Sequence, residues 1–175
     1  MNIRIILIII GMGGCLSGFP QSVQGEYDEK VKTLETTLST LYEVISGDAG
    51  IQRDWELFRY LFTDNAHLIP VRKDSSNVFV PSFLTPDEYI NNARNWFEKN
   101  GFFEKEISRK VDTFGPITHV FSTYASFRSS VDTIPFTRGI NSIQMMNDGR
   151  RWWILNIYWT SESDDTPIPD RYLLK

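Results

Sequence analysis

The chain is poor in residues that form covalent crosslinks or bind metals. It has one cysteine, Cys15, and two histidines, His67 and His119, in 175 residues. A single cysteine cannot form an internal disulfide, so core packing must stabilise the fold. With so few thiol and imidazole groups and no acidic cluster at ligand spacing, we expect no metal site. The sequence has no phosphate loop, dinucleotide-binding glycine motif or nucleophile elbow, so we also predict no cofactor.

The chain also lacks an excess of positive charge. Its 18 basic side chains are outnumbered by 22 acidic ones. Removing residues 1–25 takes away only Arg4, which leaves 17 basic side chains and a net charge of −5. A nucleic-acid partner would require a basic surface that displaces phosphate counterions, so we expect none.

No apolar run in the sequence reaches the roughly 20 residues that a membrane-spanning helix needs. The longest run covers residues 5–10 and follows Arg4. A positive residue followed by a short apolar run is typical of an export signal. We therefore predict that residues 1–25 are a signal peptide with a short linker, and that the protein is periplasmic or extracellular.

Two processing routes are open at this N-terminus. Val23 and Gly25 suit the −3 and −1 positions of a signal-peptidase site, which would make Glu26 the first mature residue. Alternatively, the segment MGGC that ends at Cys15 resembles a bacterial lipobox, in which Cys15 would be lipidated and would tether the protein to the envelope. Cys15 is otherwise a small residue inside a discarded signal. Membrane contact is expected only through the signal or this anchor.

The remaining chain has ample material for the core of one domain, with 41% hydrophobic and 14% aromatic residues. Apolar residues spaced by three and four predict an amphipathic helix over residues 26–46 and a shorter one around 54–62. A third helix should follow Thr85, because Thr85 can cap it, Pro86 suits its first position and Glu88 completes a capping box. Gly101 should end it.

The strand-like segments of the chain cover residues 65–72, 77–83, 102–113, 117–128, 136–147 and 151–161. With the helices, they predict an α+β domain over residues 26–175, with helices on one side of an antiparallel sheet and a short tail from about residue 162.

The last two strands should form a hairpin around Asp148 and Gly149, a strong signal for a two-residue turn. That turn would place Gln144 opposite Trp153 and Arg138 opposite Trp159. It would also place Asn141 opposite Asn156, a pair that we interpret as structural. Both faces of this hairpin mix apolar and polar residues, which is typical of a curved sheet that encloses a pocket.

The hairpin also bears on assembly. Trp152 and Trp153 are adjacent, so they must point to opposite faces of their strand. A soluble monomer rarely exposes a large apolar face. We therefore predict a homodimer that pairs through the sheet.

Four segments resemble a known superfamily: LYEVISG (41–47), RDWELFRYLFTDNAHLIP (53–70), FFEKEISRKVDTFGPITHVFSTY (102–124) and RGINSIQMMNDGRRWWILNIYW (138–159). They are similar to the nuclear-transport-factor-two-like superfamily, which includes SnoaL-like cyclases and ketosteroid isomerase, and in particular to an exported bacterial branch of it. The resemblance implies a cone-like fold with helices packed on a strongly curved antiparallel sheet. It does not imply one function, because the superfamily contains enzymes, binding modules and dimerisation domains.

The ketosteroid-isomerase reaction is not expected. In that family the general base is an aspartate directly before a proline, and the matching residue here is Ile69, before Pro70. An alkyl side chain cannot transfer a proton. Whether the chain is an enzyme stays open at this point.

His119 is the candidate for acid–base chemistry. If Gly115 and Pro116 form a tight turn, His119 lies opposite Asp112, and Lys110, Ser108 and Glu106 share that face. An imidazole beside a carboxylate is held in one tautomer, and the negative charge raises its pKa, so it could act as a general acid or base. The alternative is a cross-strand polar pair that fixes the register.

Arg138, Ser142 and Gln144 share one strand face and are the candidate ligand-binding residues, with Tyr124 and Glu106 in addition. Arg138 could hold an anionic ligand, or it could stack on Trp159. The sequence thus predicts an exported domain that binds a small organic molecule. One alternative is a SnoaL-like cyclase, dehydratase or isomerase that uses His119. Another is an interaction or dimerisation module whose cavity is filled by side chains.

Overall fold

The structure, a computed structural model, describes residues 21–173, with side chains from Gly25 onward. Arg4, the apolar run and Cys15, on which the predictions of export and lipidation depend, lie outside the described residues. The predicted cleavage position before Glu26 lies within the first helix, α1 (Gln21–Lys30). Within the described part of the chain, no helix combines the length and the apolar character that crossing a membrane requires.

Three more helices follow: α2 (Leu34–Ile45), α3 (Trp55–Tyr60) and α4 (Pro86–Asn100). The single helix predicted over residues 26–46 is wrong, because Thr33 interrupts it. Its side chain accepts a hydrogen bond from the backbone N–H of Thr36 and starts α2 with a capping box. The predicted start of α4 is confirmed, since Thr85 and Glu88 form the second capping box. Gly101 ends that helix with a φ of 68°.

Six strands form one sheet: β1 (Phe62–Lys73), β2 (Phe79–Pro81), β3 (Phe103–Phe114), β4 (Ile117–Phe127), β5 (Thr137–Asn147) and β6 (Trp152–Ser161). Their order across the sheet is β2-β1-β6-β5-β4-β3. The predicted α+β fold is confirmed, with one difference: β1 and β6 run parallel, so the sheet is mixed. The helices α2, α3 and α4 pack on one face of the sheet, which we call the concave face; the other is the convex face.

The register predicted for the β5–β6 hairpin is wrong. The turn spans Asp148 to Arg151, with a hydrogen bond of 3.2 Å from the Asp148 N–H to the Arg151 carbonyl. Met146 therefore lies opposite Trp153, and a bulge at Leu155 shifts the register again. The Asp148 carboxylate accepts bonds of 2.8 Å from two N–H groups within the turn, and this stabilises the longer loop.

Candidate functional site

A cavity of about 530 Å³ lies between the concave face, α2 and α4. Its walls are mainly aromatic and aliphatic, and the rings of Phe97 and Phe102 stack with centroids 4.2 Å apart. The apolar lining includes Phe58, Leu68, Tyr89, Phe97, Phe102, Ile157 and Trp159. This volume and lining are typical of a site for a small organic ligand.

Glu104, on β3, gives the cavity a polar end. Among the described residues that line the cavity, it is the one acidic side chain, and Arg72 is the one basic side chain. The Ser126 hydroxyl donates a hydrogen bond of 3.0 Å to the Glu104 carboxylate, and the Asn141 amide makes a longer contact of 3.5 Å. Burial raises the pKa of Glu104 to about 7, although these two bonds oppose the rise. Near neutral pH this carboxyl group can therefore both donate and accept a proton.

A second layer of polar groups surrounds Glu104. The hydroxyl groups of Tyr42, on α2, and Ser122, on β4, share a hydrogen bond of 2.6 Å. The Asn141 amide donates a bond of 3.2 Å to the Tyr42 hydroxyl, and the Ser122 hydroxyl donates one of 2.5 Å to Glu106. Burial raises the pKa of both Tyr42 and Glu106. Hydrogen bonds thus join α2 and three strands at this end of the cavity.

A bulge in β3 brings Glu106 into this network. Glu106 lies opposite Tyr124 and Ser108 lies opposite Thr123, so Ile107 is an extra residue between two regular pairs. One extra residue turns all preceding side chains to the other face of a strand. Glu106 therefore shares the concave face with Glu104, and not the face of Asp112 as predicted.

Tyr124 lines the cavity, as predicted. Its hydroxyl lies 3.2 Å from the Ser161 hydroxyl, and burial raises its pKa to about 12. The ring packs over Gly139, where an added Cβ would lie 2.4 Å from the Tyr124 hydroxyl oxygen. The same Cβ would lie 2.4 Å from the Thr160 carbonyl oxygen, so any larger residue at position 139 would force the backbone or the Tyr124 ring to move.

The other predicted ligand-binding residues, Arg138, Ser142 and Gln144, share one face of β5 as expected, but it is the convex face. The odd-numbered residues from Gly139 to Met145 are the buried ones on this strand, with Asn141 at 6% and Ile143 at 0% exposure. Both faces of β5 carry polar and apolar residues. The alternation of side chains along the sequence therefore could not show which face points to the helices.

His119 also lies on the convex face, outside the cavity lining. Its predicted pairing opposite Asp112 is confirmed. Its Nε2 lies 3.0 Å from the Ser142 hydroxyl, so the imidazole takes part in a contact across two strands. This arrangement matches the register-fixing alternative for His119.

Arg138 does not stack on Trp159. It forms an ion pair with Glu162 at 2.8 Å, and its Nε donates a bond of 2.9 Å to the same carboxylate. The predicted contact is wrong because Trp159 lies opposite Asn141, on the concave face. The predicted pairing of Asn141 with Asn156 fails for the same reason, since Asn156 lies opposite Gln144.

The sequence reasoning missed Glu104, Ser126 and Asn141 as site residues. A signal was present, because polar residues recur at every second position in Glu104–Glu106 and in Ser122–Tyr124–Ser126. This spacing places each set on one strand face. Only the position of the helices shows that the face is the concave one.

The fold is similar to several solved structures. A proposed dehydratase from the nuclear-transport-factor-two-like family of Streptomyces avermitilis aligns with a TM-score of 0.55 at 12% identity, over 78% of this chain and 98% of that chain. The chain has the nuclear-transport-factor-two-like fold. A protein of unknown function with a cystatin-like fold from Nostoc punctiforme aligns with a TM-score of 0.56 at 7% identity, over 75% of this chain and 90% of that chain.

A third structure of similar fold is a proposed calcium/calmodulin-dependent protein kinase type II association domain from Thiobacillus denitrificans. Its TM-score is 0.57 at 9% identity, over 76% of this chain and 98% of that chain. No protein-family model matches the sequence, and no curated protein matches it. The TM-scores establish the nuclear-transport-factor-two-like fold, and identities this low carry no activity from one protein to another.

Proposed function

We propose that this chain is an exported protein that binds a small organic molecule in the cavity at Glu104. The observation that carries the binding proposal is the open cavity of about 530 Å³, with apolar walls and one polar end. A module whose cavity is filled by side chains would lack this space. Export rests on Arg4 and the apolar run at residues 5–10. Mass spectrometry of the mature N-terminus tests export, and an intact chain in the cytoplasm of the native host would contradict it.

The lining indicates the chemical class of the ligand. Aromatic walls favour a flat, mostly apolar body, because rings stack and meet edge to face. The Glu104 carboxyl group, with Ser126 and Asn141 beside it, suits an uncharged polar group such as a carbonyl or a hydroxyl. A charged ligand group would lose its hydration at this buried end.

Filling the cavity should abolish binding. Ala93, on α4, lines the cavity, so the substitution A93F should place a ring in the ligand's space. We expect the affinity for the neutral dye Nile red, read by fluorescence, to fall at least about tenfold, which corresponds to about 1.4 kcal/mol. A49F is the matched control, because Ala49 is exposed in the turn after α2. Unchanged Nile red binding by a folded A93F variant would contradict the proposal. Native mass spectrometry of protein from its own host would then identify the natural ligand.

An enzymatic role is the second candidate, with Glu104 in place of His119 as the acid–base group. The observation that favours it is a carboxyl group with a pKa of about 7 inside a ligand-sized cavity. General acid–base catalysis works best when the pKa of the group lies near the working pH. A dehydration or an isomerisation requires a proton to be moved, and a single carboxyl group of this kind could move it. If Glu104 has this role, the E104Q variant should still bind the molecule that occupies the cavity but should no longer convert it to product.

We further propose that two copies pair through the convex face of β5 and β6. Tyr158 is 48% exposed there, and Ile140 and Leu155 are half-buried neighbours. At β4 the C-terminal tail packs against the convex face, where the Thr123 hydroxyl donates a bond of 2.7 Å to the Tyr172 carbonyl and the Tyr172 ring contacts Phe121. These apolar side chains lie among polar ones such as Ser142 and Gln144, and a second copy that covered the face would bury them.

Light scattering tests this pairing. The wild type should give twice the chain mass of 20.3 kDa, or twice the correspondingly smaller mass if the signal is removed. Y158E should give the single mass, because pairing would bury a charge. I134E is the control, since Ile134 is 83% exposed in the loop before β5. A wild-type protein of single mass at micromolar concentration would contradict the dimer.

A further inference from the structure

A second cleft, of about 360 Å³, lies between α2 and β3, which is the edge strand of the sheet. Two residues, Tyr42 and Glu104, line both this cleft and the ligand cavity. They therefore form the partition between the two spaces. The same carboxyl residue that ends the ligand cavity also borders an opening on the other side of α2.

The two spaces differ in chemistry. The ligand cavity is walled mainly by aromatic rings, whereas the second cleft is lined mostly by charged and hydroxyl side chains. Arg109 bridges two of them, with contacts of 2.5 Å to Glu35 and 3.4 Å to Glu106. The full lining is Glu35, Ser39, Tyr42, Glu43, Ser46, Phe103, Glu104, Lys105, Glu106 and Arg109. The charged and hydroxyl groups in this lining offer hydrogen-bond partners to water, which the aromatic walls of the ligand cavity do not.

Hydrogen bonds also cross the partition. Starting in the cleft, Glu106 accepts a bond from Ser122, which is bonded to Tyr42. Asn141 donates to Tyr42 and also contacts Glu104. The polar end of the ligand cavity is thus connected to the cleft by side chains as well as by the shared wall.

We propose that the second cleft is an access route for water and protons to Glu104, separate from the opening that admits the organic ligand. The proposal rests on the proposed ligand binding. A bound ligand shields Glu104 from solvent on the cavity side. A carboxyl group that gains or loses a proton during binding or turnover then needs a second path to water. Glu104 lies on the partition, so the cleft supplies that path without release of the ligand.

Cysteine labelling can test the route in the full chain, with Cys15 replaced in a C15S background. In one variant, E104C places a thiol on the partition. In the other, S126C places a thiol that lines the ligand cavity alone, since Ser126 does not border the cleft. The reagent is a small, water-soluble methanethiosulfonate that carries an ammonium group. Each labelling rate is measured by mass spectrometry with and without Nile red, and circular dichroism checks that each variant is folded.

The expected results differ between the two thiols. At a Nile red concentration about ten times its Kd, labelling of S126C should slow about tenfold, because only the unoccupied fraction reacts. Labelling of E104C should keep its rate, because the reagent arrives through the cleft. Equal protection of both thiols would overturn the access route and leave the binding proposal intact. No protection of S126C would instead overturn the binding proposal itself.

Closing the cleft gives the converse test. Ser39 lines the cleft from an exposed position on α2, so S39W should obstruct the cleft without reaching the ligand cavity. When S39W is added to E104C, Nile red should slow the labelling of the thiol at position 104 by the same factor as it slows the labelling of S126C. In the S126C background, S39W should leave the protection by Nile red unchanged. E104C labelling that is still insensitive to Nile red in the S39W background would show that the reagent takes another path, and would overturn the proposal.

Discussion

Replacing Glu104 with glutamine should make the protein more stable at alkaline pH and remove a pH-dependent loss of stability. Burial raises the pKa of Glu104 in the folded state from 4.5 to about 7. Between these values the folded state binds more protons than the unfolded state, so the free energy of unfolding falls as the pH rises. A shift of this size corresponds to about 3 kcal/mol, present in full below the unfolded pKa and lost by the time the pH exceeds the folded pKa.

Urea unfolding of the wild type and E104Q between about pH 5 and about pH 8 measures this effect as the difference between two curves. Glutamine keeps the shape of the side chain and an acceptor for the Ser126 hydroxyl. E104Q should therefore match the wild type in acid and exceed it increasingly towards pH 8. E43Q, at an exposed position on α2, serves as the control and should follow the wild type. Parallel curves for E104Q and the wild type would contradict the raised pKa.

The fold was predictable because its signals are local. A capping box at Thr85, with Glu88 three residues later, fixes the start of a helix whatever surrounds it. Alternating side chains located β3 to β6 to within a few residues of their observed bounds. The failures in the fold also have local causes: the capping box at Thr33 divides one apolar stripe into two helices, and Asp148 stabilises a longer turn than its sequence suggests.

The site was not predictable in the same way, because it depends on which face of each strand meets the helices. Bulges at Ile107 and Leu155 reverse which residues of β3 and β6 point to the helices, and the sequence around these positions does not predict a bulge. His119 attracts attention as an imidazole, yet it lies on the convex face. Glu104 resembles an ordinary solvent-exposed glutamate in sequence, and its chemistry arises from tertiary burial under α2.

Arg53 stabilises the turn between α2 and α3, and we expect its replacement by alanine to lower the stability of the fold strongly. The side chain is 6% exposed. Its Nε donates a bond of 3.1 Å to the Ile45 carbonyl, and its Nη2 donates one of 2.5 Å to the Gly47 carbonyl. Its Nη1 donates to the carbonyls of Asp48 and Ile51. One guanidinium group thus donates to four backbone carbonyls at and just after the end of α2. Ile45 is the last residue of this helix, where carbonyls have no partner within the helix. The Gly47 and Asp48 carbonyls also accept the N–H groups of Phe102 and Ile51.

R53A should therefore lower the free energy of unfolding by about 2 to 3 kcal/mol, because the carbonyls of Ile45 and Ile51 lose the guanidinium donor. R53K should recover only part of this loss, since one ammonium group cannot match the planar fork that reaches separate carbonyls. R150A, at an exposed turn residue, should change stability by no more than about 0.5 kcal/mol. Urea midpoints of the three variants provide the comparison. If R53A unfolds at the same urea concentration as R150A, the carbonyl contacts of Arg53 contribute nothing to stability and the proposed role of Arg53 is wrong.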